Sequence, residues 1–174
     1  MRKVLKKLIL IGVALTLAGI VDAKTFRYAT TGDVLGLDPH ANNEGPTNTM
    51  KGNIYGRLIH RKADLSLEPD LATKWEKLNS TAWRFTLRQG VKFHNGNPFN
   101  ADDVLYSFKR QTQESSEMSF ALATVKEIRK VDDYTIDIIT KGPDPILLLN
   151  MPIFYIVDKE WTEANNAFEV VRAG

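Results

Sequence analysis

The chain has 174 residues with 23 basic and 21 acidic side chains, a net charge of +2, and no cysteine. Disulfides, thiolate catalysis and cysteine metal sites are therefore excluded, and stability has to come from an ordinary hydrophobic core. The small net charge belongs mostly to the first residues, where Arg2, Lys3, Lys6 and Lys7 cluster, so a nucleic-acid partner has no support.

Residues 1–23 read as a secretory signal. A basic start is followed by an apolar run from Leu8 to Val21, and Val21-Asp22-Ala23 places small residues where a signal peptidase reads. The run is shorter than the roughly 20 residues that a spanning helix needs. Cleavage after Ala23 is expected, and without a cysteine no lipid anchor follows. The expected compartment is the periplasm.

Phe26 and Tyr28 alternate within a first predicted strand over residues 25–30. Leu37-Asp38-Pro39-His40 leads into a polar loop, 41–46. Thr47 is predicted to cap a helix whose Met50, Ile54 and Leu58 form one apolar stripe. Glu68 to Trp75 reads as a turn and a short apolar stretch. Trp83, Phe85 and Leu87 alternate with Arg84, Thr86 and Arg88, the pattern of a half-buried strand.

Asn95-Gly96 predicts a tight turn in which both residues tolerate positive φ. Asn100 is a helix cap, with Asp103 at the third position near the positive end of the dipole and Val104, Leu105 and Phe108 turned inward. Residues 125–131 and 134–140 form a hairpin about Asp132-Asp133. Asp144-Pro145 opens a short helix stopped at Pro152, residues 153–157 read as a buried strand, and Asp158 caps a last helix carrying Trp161. Helices and strands mix irregularly, which predicts an α+β fold.

Five blocks occur in an order that carries more than any one of them. They are Gly36-Leu37-Asp38-Pro39-His40, Asn53-Ile54-Tyr55-Gly56-Arg57-Leu58, Glu68 to Trp75, Trp83 to Arg110, and Val131-Asp132-Asp133-Tyr134-Thr135. Together they resemble the extracellular solute-binding proteins of family 5, receptors for peptides, nickel and related solutes that feed ABC importers. The resemblance implies a two-lobed clamshell with an extra inserted domain. Residues 24–46 would start lobe I, 47–157 would be the inserted α+β domain, and 158–174 would return to lobe I. Lobe II, with the acidic residue that meets a peptide's amino terminus, would lie beyond Gly174, because family members are several times longer.

Function on this reading is binding alone: a short peptide or similar solute is captured between lobes and handed to an inner-membrane ABC permease. Carried over by position, the ligand contacts are the backbone of Asn43, Glu44 and Gly45 and the aromatic ring of Phe120. On the residues alone, that loop also reads as a solvated turn and Phe120 as a core aromatic. His40, His60 and His94 are too far apart for a metal site and read as structural. Asp102-Asp103 reads as a helix cap, since neighbours at a helix start do not face each other across a site. No phosphate loop or nucleophile elbow appears, so neither an enzyme nor a cofactor is expected. The alternatives are a stand-alone secreted structural or interaction domain, and a receptor for nickel or another solute.

Overall fold

The computed structural model describes residues 32–170, together with Thr25 and Ala29. The predicted signal and most of the predicted first strand lie outside the described residues. Chain order is helix α1 (Gly45–Ile54), strands β1 (Ile59–Arg61), β2 (Leu67–Pro69), β3 (Ala72–Asn79) and β4 (Ala82–Leu87), helix α2 (Ala101–Gln111), strands β5 (Val125–Asp132) and β6 (Thr135–Thr140), and helices α3 (Leu147–Asn150) and α4 (Lys159–Ala164). Two 3-10 turns, Ser119–Leu122 and Met151–Ile153, complete the set. The predicted α+β class holds.

Strands β3, β4, β6 and β5 form an antiparallel sheet in that order, while β1 and β2 pair as a separate ribbon. Register puts Trp75 opposite Phe85, Phe85 opposite Ile136, and Ile138 opposite both Trp83 and Ile128. Side chains directly opposite share a face, so one face carries the apolar set, with Phe85, Ile136 and Ile138 fully buried. The other face carries an ion cluster. The Asp137 carboxylate, inaccessible to solvent, accepts from Arg84 Nε at 2.8 Å and Nη2 at 3.0 Å, and from Arg129 Nη2 at 2.8 Å.

Helix α2 covers the apolar face. Its start is a full capping box: Asn100 Oδ1 accepts from Asp102 N at 2.7 Å, and Asp103 Oδ2 accepts from Asn100 N at 2.9 Å. Val104 is fully buried, whereas Leu105 and Phe108 pack at the edge of the core. Trp75 and Trp83 are also at that edge, half-buried rather than enclosed.

Several local expectations are corrected. Helix α1 begins at Gly45 with Glu44 as its N-cap, and it ends at Ile54, so Leu58 lies past it in the approach to β1. Its buried positions are Thr47 and Lys51, not the Met50–Ile54 stripe; Ile54 is exposed. Glu68 to Trp75, expected as a turn and a short apolar stretch, instead runs into strand β3, which extends to Asn79. In the Asn95-Gly96 turn only Gly96 has positive φ, at 96°. Asn95 instead accepts from Asn97 N through its side chain at 3.0 Å. Pro145 precedes helix α3 rather than lying in its first turn. Residues 153–157 make one isolated bridge, Tyr155 with Arg57, instead of a strand, although Phe154, Tyr155 and Ile156 are buried as expected.

Candidate functional site

The loop from His40 to Gly45 is gripped from two sides. On one side lies the segment following α2. Ser116 Oγ donates to His40 O at 2.7 Å, Glu117 N donates to Ala41 O at 3.0 Å, and Glu117 Oε2 accepts from Asn43 N at 2.9 Å. On the other side lies α1. Its Lys51 ammonium donates to Asn42 O, Asn48 Nδ2 donates to Asn43 Oδ1 at 2.8 Å, and Asn48 N donates to Glu44 O at 2.8 Å. A buried ammonium costs free energy unless paired. Burial pulls Lys51 below the usual lysine range, against the opposing pull of Asp38, Glu117 and Glu44.

Beneath the loop, the Asp38 carboxylate accepts from Arg110 Nη1 at 2.8 Å and Nη2 at 2.5 Å. His40 is fully buried, with Nε2 2.9 Å from Tyr155 O and Nδ1 3.0 Å from Arg110 Nη1. Those partners assign the proton to Nε2, because a guanidinium only donates. Burial, reinforced by the charge of Arg110, pushes the His40 pKa down to about 4 and keeps the ring neutral.

These contacts decide what the loop offers outward. Glu44 is extended, with φ −139° and ψ 157°. In extended backbone the carbonyl before a residue and the N–H after it point the same way. Glu44's own carbonyl is turned to Asn48 N. Among the described residues, no donor reaches the Asn43 carbonyl and no acceptor reaches the Gly45 N–H. An acceptor and a donor, one residue apart on either side of Glu44, are what one bridge of a β-ladder requires. Asn43's N–H, in contrast, is already occupied by Glu117.

Of the four residues foreseen, Asn43 and Gly45 are exposed, Glu44 is half-buried, and Phe120 leaves 51 % of its surface accessible on the 3-10 turn Ser119–Leu122. Phe120 is thus no core aromatic. Glu117, three residues before it, connects that turn to the loop. Ser116, Glu117, Asn48 and Lys51 were not foreseen; only the folded chain brings them to the loop.

Two other features lie outside residues 43–45 and Phe120, the first sharing Asp38 and Arg110 with the base of the loop. A groove of about 620 Å³, lined by Leu37, Ile54, Tyr55, Phe93 and Trp161 among others, includes neither residues 43–45 nor Phe120. The carboxylates of Asp103, Asp158 and Glu160 approach within 4.8 Å of one another. Asp103 accepts from Asn100 N and from Lys159 N at 3.0 Å, and Asp158 caps Trp161 N at 3.0 Å while accepting from Asn95 Nδ2 at 2.7 Å and Asn97 Nδ2 at 2.9 Å. The oxygens of Asp103 and Asp158 thus serve internal hydrogen bonds. Burial, with the neighbouring Glu160 and Asp158 charges, raises the Asp103 pKa to about 6. The histidines do not converge: His40 is buried, His60 lies 3.9 Å from Glu68, and His94 is exposed in the turn.

Residues 66–174, more than half of the chain, match the family model for bacterial extracellular solute-binding proteins, family 5, middle region. The chain belongs to this family. It is 32 % identical to the dipeptide-binding protein of Escherichia coli K12, over 87 % of this chain and 33 % of that protein. It is 33 % identical to haem-binding protein A of Haemophilus influenzae, over 76 % of this chain and 28 % of that one. Among solved structures, OppA of Burkholderia pseudomallei superposes with a TM-score of 0.73 at 24 % identity, covering 78 % of this chain and 30 % of OppA. The periplasmic binding protein DppA of Helicobacter pylori, in complex with the peptide STSA, gives 0.68 at 29 % identity, covering 79 % and 32 %. The fold is that of OppA-like binding proteins, and the chain spans about a third of the relatives it matches. These relatives are binding proteins rather than enzymes. Among the described residues, no helix is long and apolar enough to cross a membrane.

Proposed function

We propose that this chain supplies the first part of a periplasmic receptor that captures short peptides for an ABC importer. The observation that carries this is that the Asn43 carbonyl and the Gly45 N–H, on either side of an extended Glu44, have no hydrogen-bond partner among the described residues. That pair meets the main chain of any peptide and ignores its side chains, which suits a receptor tolerant of sequence. Phe120 adds an exposed apolar wall for a side chain. A relative of similar identity is named for binding haem, so similarity alone leaves the ligand open; the backbone pair favours a peptide.

In this reading residues 24–46 and 158–174 belong to the first lobe and 47–157 form the inserted domain. The apolar groove beside Leu37 and Trp161 is then a seat for further polypeptide of the first lobe. Residues 1–23 direct export and are removed. Closure of a second lobe over the loop is a population shift toward the liganded state, and the closed form docks on the permease. No cofactor, metal or nucleic acid takes part.

The test is calorimetric titration of the protein, purified as its own gene produces it, against trialanine, trilysine, haem and nickel ions. Binding of the peptides with saturation at one site is the expected result. Binding of haem or nickel with no response to peptides would overturn the reading.

A further inference from the structure

A strand laid along Glu44 would use the Asn43 carbonyl and the Gly45 N–H first. To continue, it would next need the Asn43 N–H on one side and the Gly45 carbonyl on the other. The protein itself takes both. The Asn43 N–H donates to Glu117 Oε2 at 2.9 Å. The Gly45 carbonyl accepts from Thr49 Oγ1 at 2.9 Å and belongs to the first residue of α1, whose carbonyls run along the helix axis.

The two stops differ in kind. One is the start of a helix. The other is a side chain from 74 positions away, delivered by a segment already docked on the loop: Glu117 N donates to Ala41 O at 3.0 Å and Ser116 Oγ to His40 O at 2.7 Å. Between the stops, one acceptor and one donor have no partner among the described residues.

We infer that Glu117 and the start of α1 limit main-chain pairing at this loop to a single bridge. The site then reads one amide N–H and one carbonyl of the ligand, whatever the length of the peptide. This rests on the loop being the peptide site. It holds for either strand direction, because a parallel and an antiparallel bridge each bring one ligand N–H to the Asn43 carbonyl and one ligand carbonyl to the Gly45 N–H. The ligand class follows. At one inner position the peptide must carry an unsubstituted amide, since proline or an N-methyl residue there has no donor and sets a carbon against the Asn43 carbonyl. At its other positions the loop is indifferent to such residues.

The experiment is an N-methyl scan. Tetraalanine and its three variants methylated at the amide nitrogen of residue 2, 3 or 4 are titrated by calorimetry into the protein as its own gene produces it and into Gly45→Pro. That substitution removes the loop's one free donor at the first helical position, where proline is tolerated and where an added Cβ meets no atom within 4 Å. At one position the methyl group is expected to weaken binding to the original protein about 10-fold, and in Gly45→Pro only about 3-fold or less, because the two bonds of one bridge support each other. Penalties at the other two positions are expected to be the same in both proteins. Two or more positions that respond to Gly45→Pro would mean a longer ladder and overturn the inference.

Failure of the underlying reading looks different. If tetraalanine binds Gly45→Pro as tightly as the original protein, the loop is not the peptide site and the inference falls with it. If tetraalanine weakens but no methyl penalty changes, the loop stands and the single bridge does not. Hydrogen exchange of the Gly45 amide repeats the scan without a variant. In the original protein, saturating tetraalanine should protect that amide, one methylated peptide should fail to, and the other two should protect it; any other count overturns the inference.

Discussion

Asp38 and Arg110, 72 positions apart in the chain, form a two-pronged ion pair with Nη1 2.8 Å and Nη2 2.5 Å from the carboxylate oxygens. The same Nη1 lies 3.0 Å from His40 Nδ1, so one guanidinium orders both ends of the Asp38-Pro39-His40 turn. That turn delivers the chain to Asn43. The arginine at the end of α2 is therefore the base on which the candidate loop stands.

Replacing Arg110 by Ala should cost about 2–3 kcal/mol, because it strands a partly buried carboxylate. Urea denaturation at pH 7 measures this. Burial raises the Asp38 pKa, but the Arg110 hydrogen bonds, the His40 N–H and the Arg110 charge outweigh it and hold the carboxyl below its ordinary value. Its contribution is present above the unfolded pKa of about 4 and is lost as pH falls below that. Arg110→Ala should consequently flatten the acid limb of the stability curve below about pH 4. A loss under 1 kcal/mol would contradict the role assigned to this pair.

His40 and Asp103 titrate in opposition. The His40 pKa is pushed down to about 4, so the unfolded chain takes up a proton near its ordinary value of about 6.5 before the folded one does. Stability from this group is lost as pH falls from there toward 4. The Asp103 pKa is raised to about 6, so its contribution is full below about pH 4 and is lost as pH rises through 6. The two slopes offset each other between these limits, and melting temperature should change little over that window. Asp103→Asn should reveal a melting temperature that rises with pH, and His40→Gln one that falls. Matching slopes in the two variants would refute the assignment.

The two aromatic residues of β4 should differ. Phe85 is fully buried and Trp83 sits at the edge of the core, with Lys77 Nζ 5.9 Å from its ring centroid. Phe85→Ala is expected to cost about 4 kcal/mol and Trp83→Ala about 2 kcal/mol, less than full enclosure of the indole would imply. Chemical denaturation of both variants checks the order; equal losses would mean that the indole is as enclosed as the phenyl ring.

Strand β4 was legible because Trp83, Phe85 and Leu87 alternate with polar residues, β6 because Tyr134, Ile136 and Ile138 share a face, β5 because it runs into β6 across Asp132-Asp133, and α2 because Asn100 and Asp103 spell its capping box. Strand β3 was not. Of its side chains only Ala72 is buried and Trp75 half-buried, so an edge strand with two polar faces leaves almost no period-2 signal. Helix α1 misled for the opposite reason. Its apolar stripe is partly exposed, and the largest side chain it buries is Lys51, which reaches Asn42 O under the loop. For the candidate site, the choice of loop 43–45 was legible only as what the family resemblance implies. Its hydrogen-bonding state was not, because Glu117 meets Asn43 from 74 positions away and no local pattern marks that contact.

The most direct test of the peptide-receptor account is amide hydrogen exchange, followed by NMR, in the protein as its own gene produces it, with and without trialanine. The account predicts that the Gly45 amide slows on binding while the Asn43 amide, already held by Glu117, changes little. Saturating peptide that leaves Gly45 exchange untouched would contradict it.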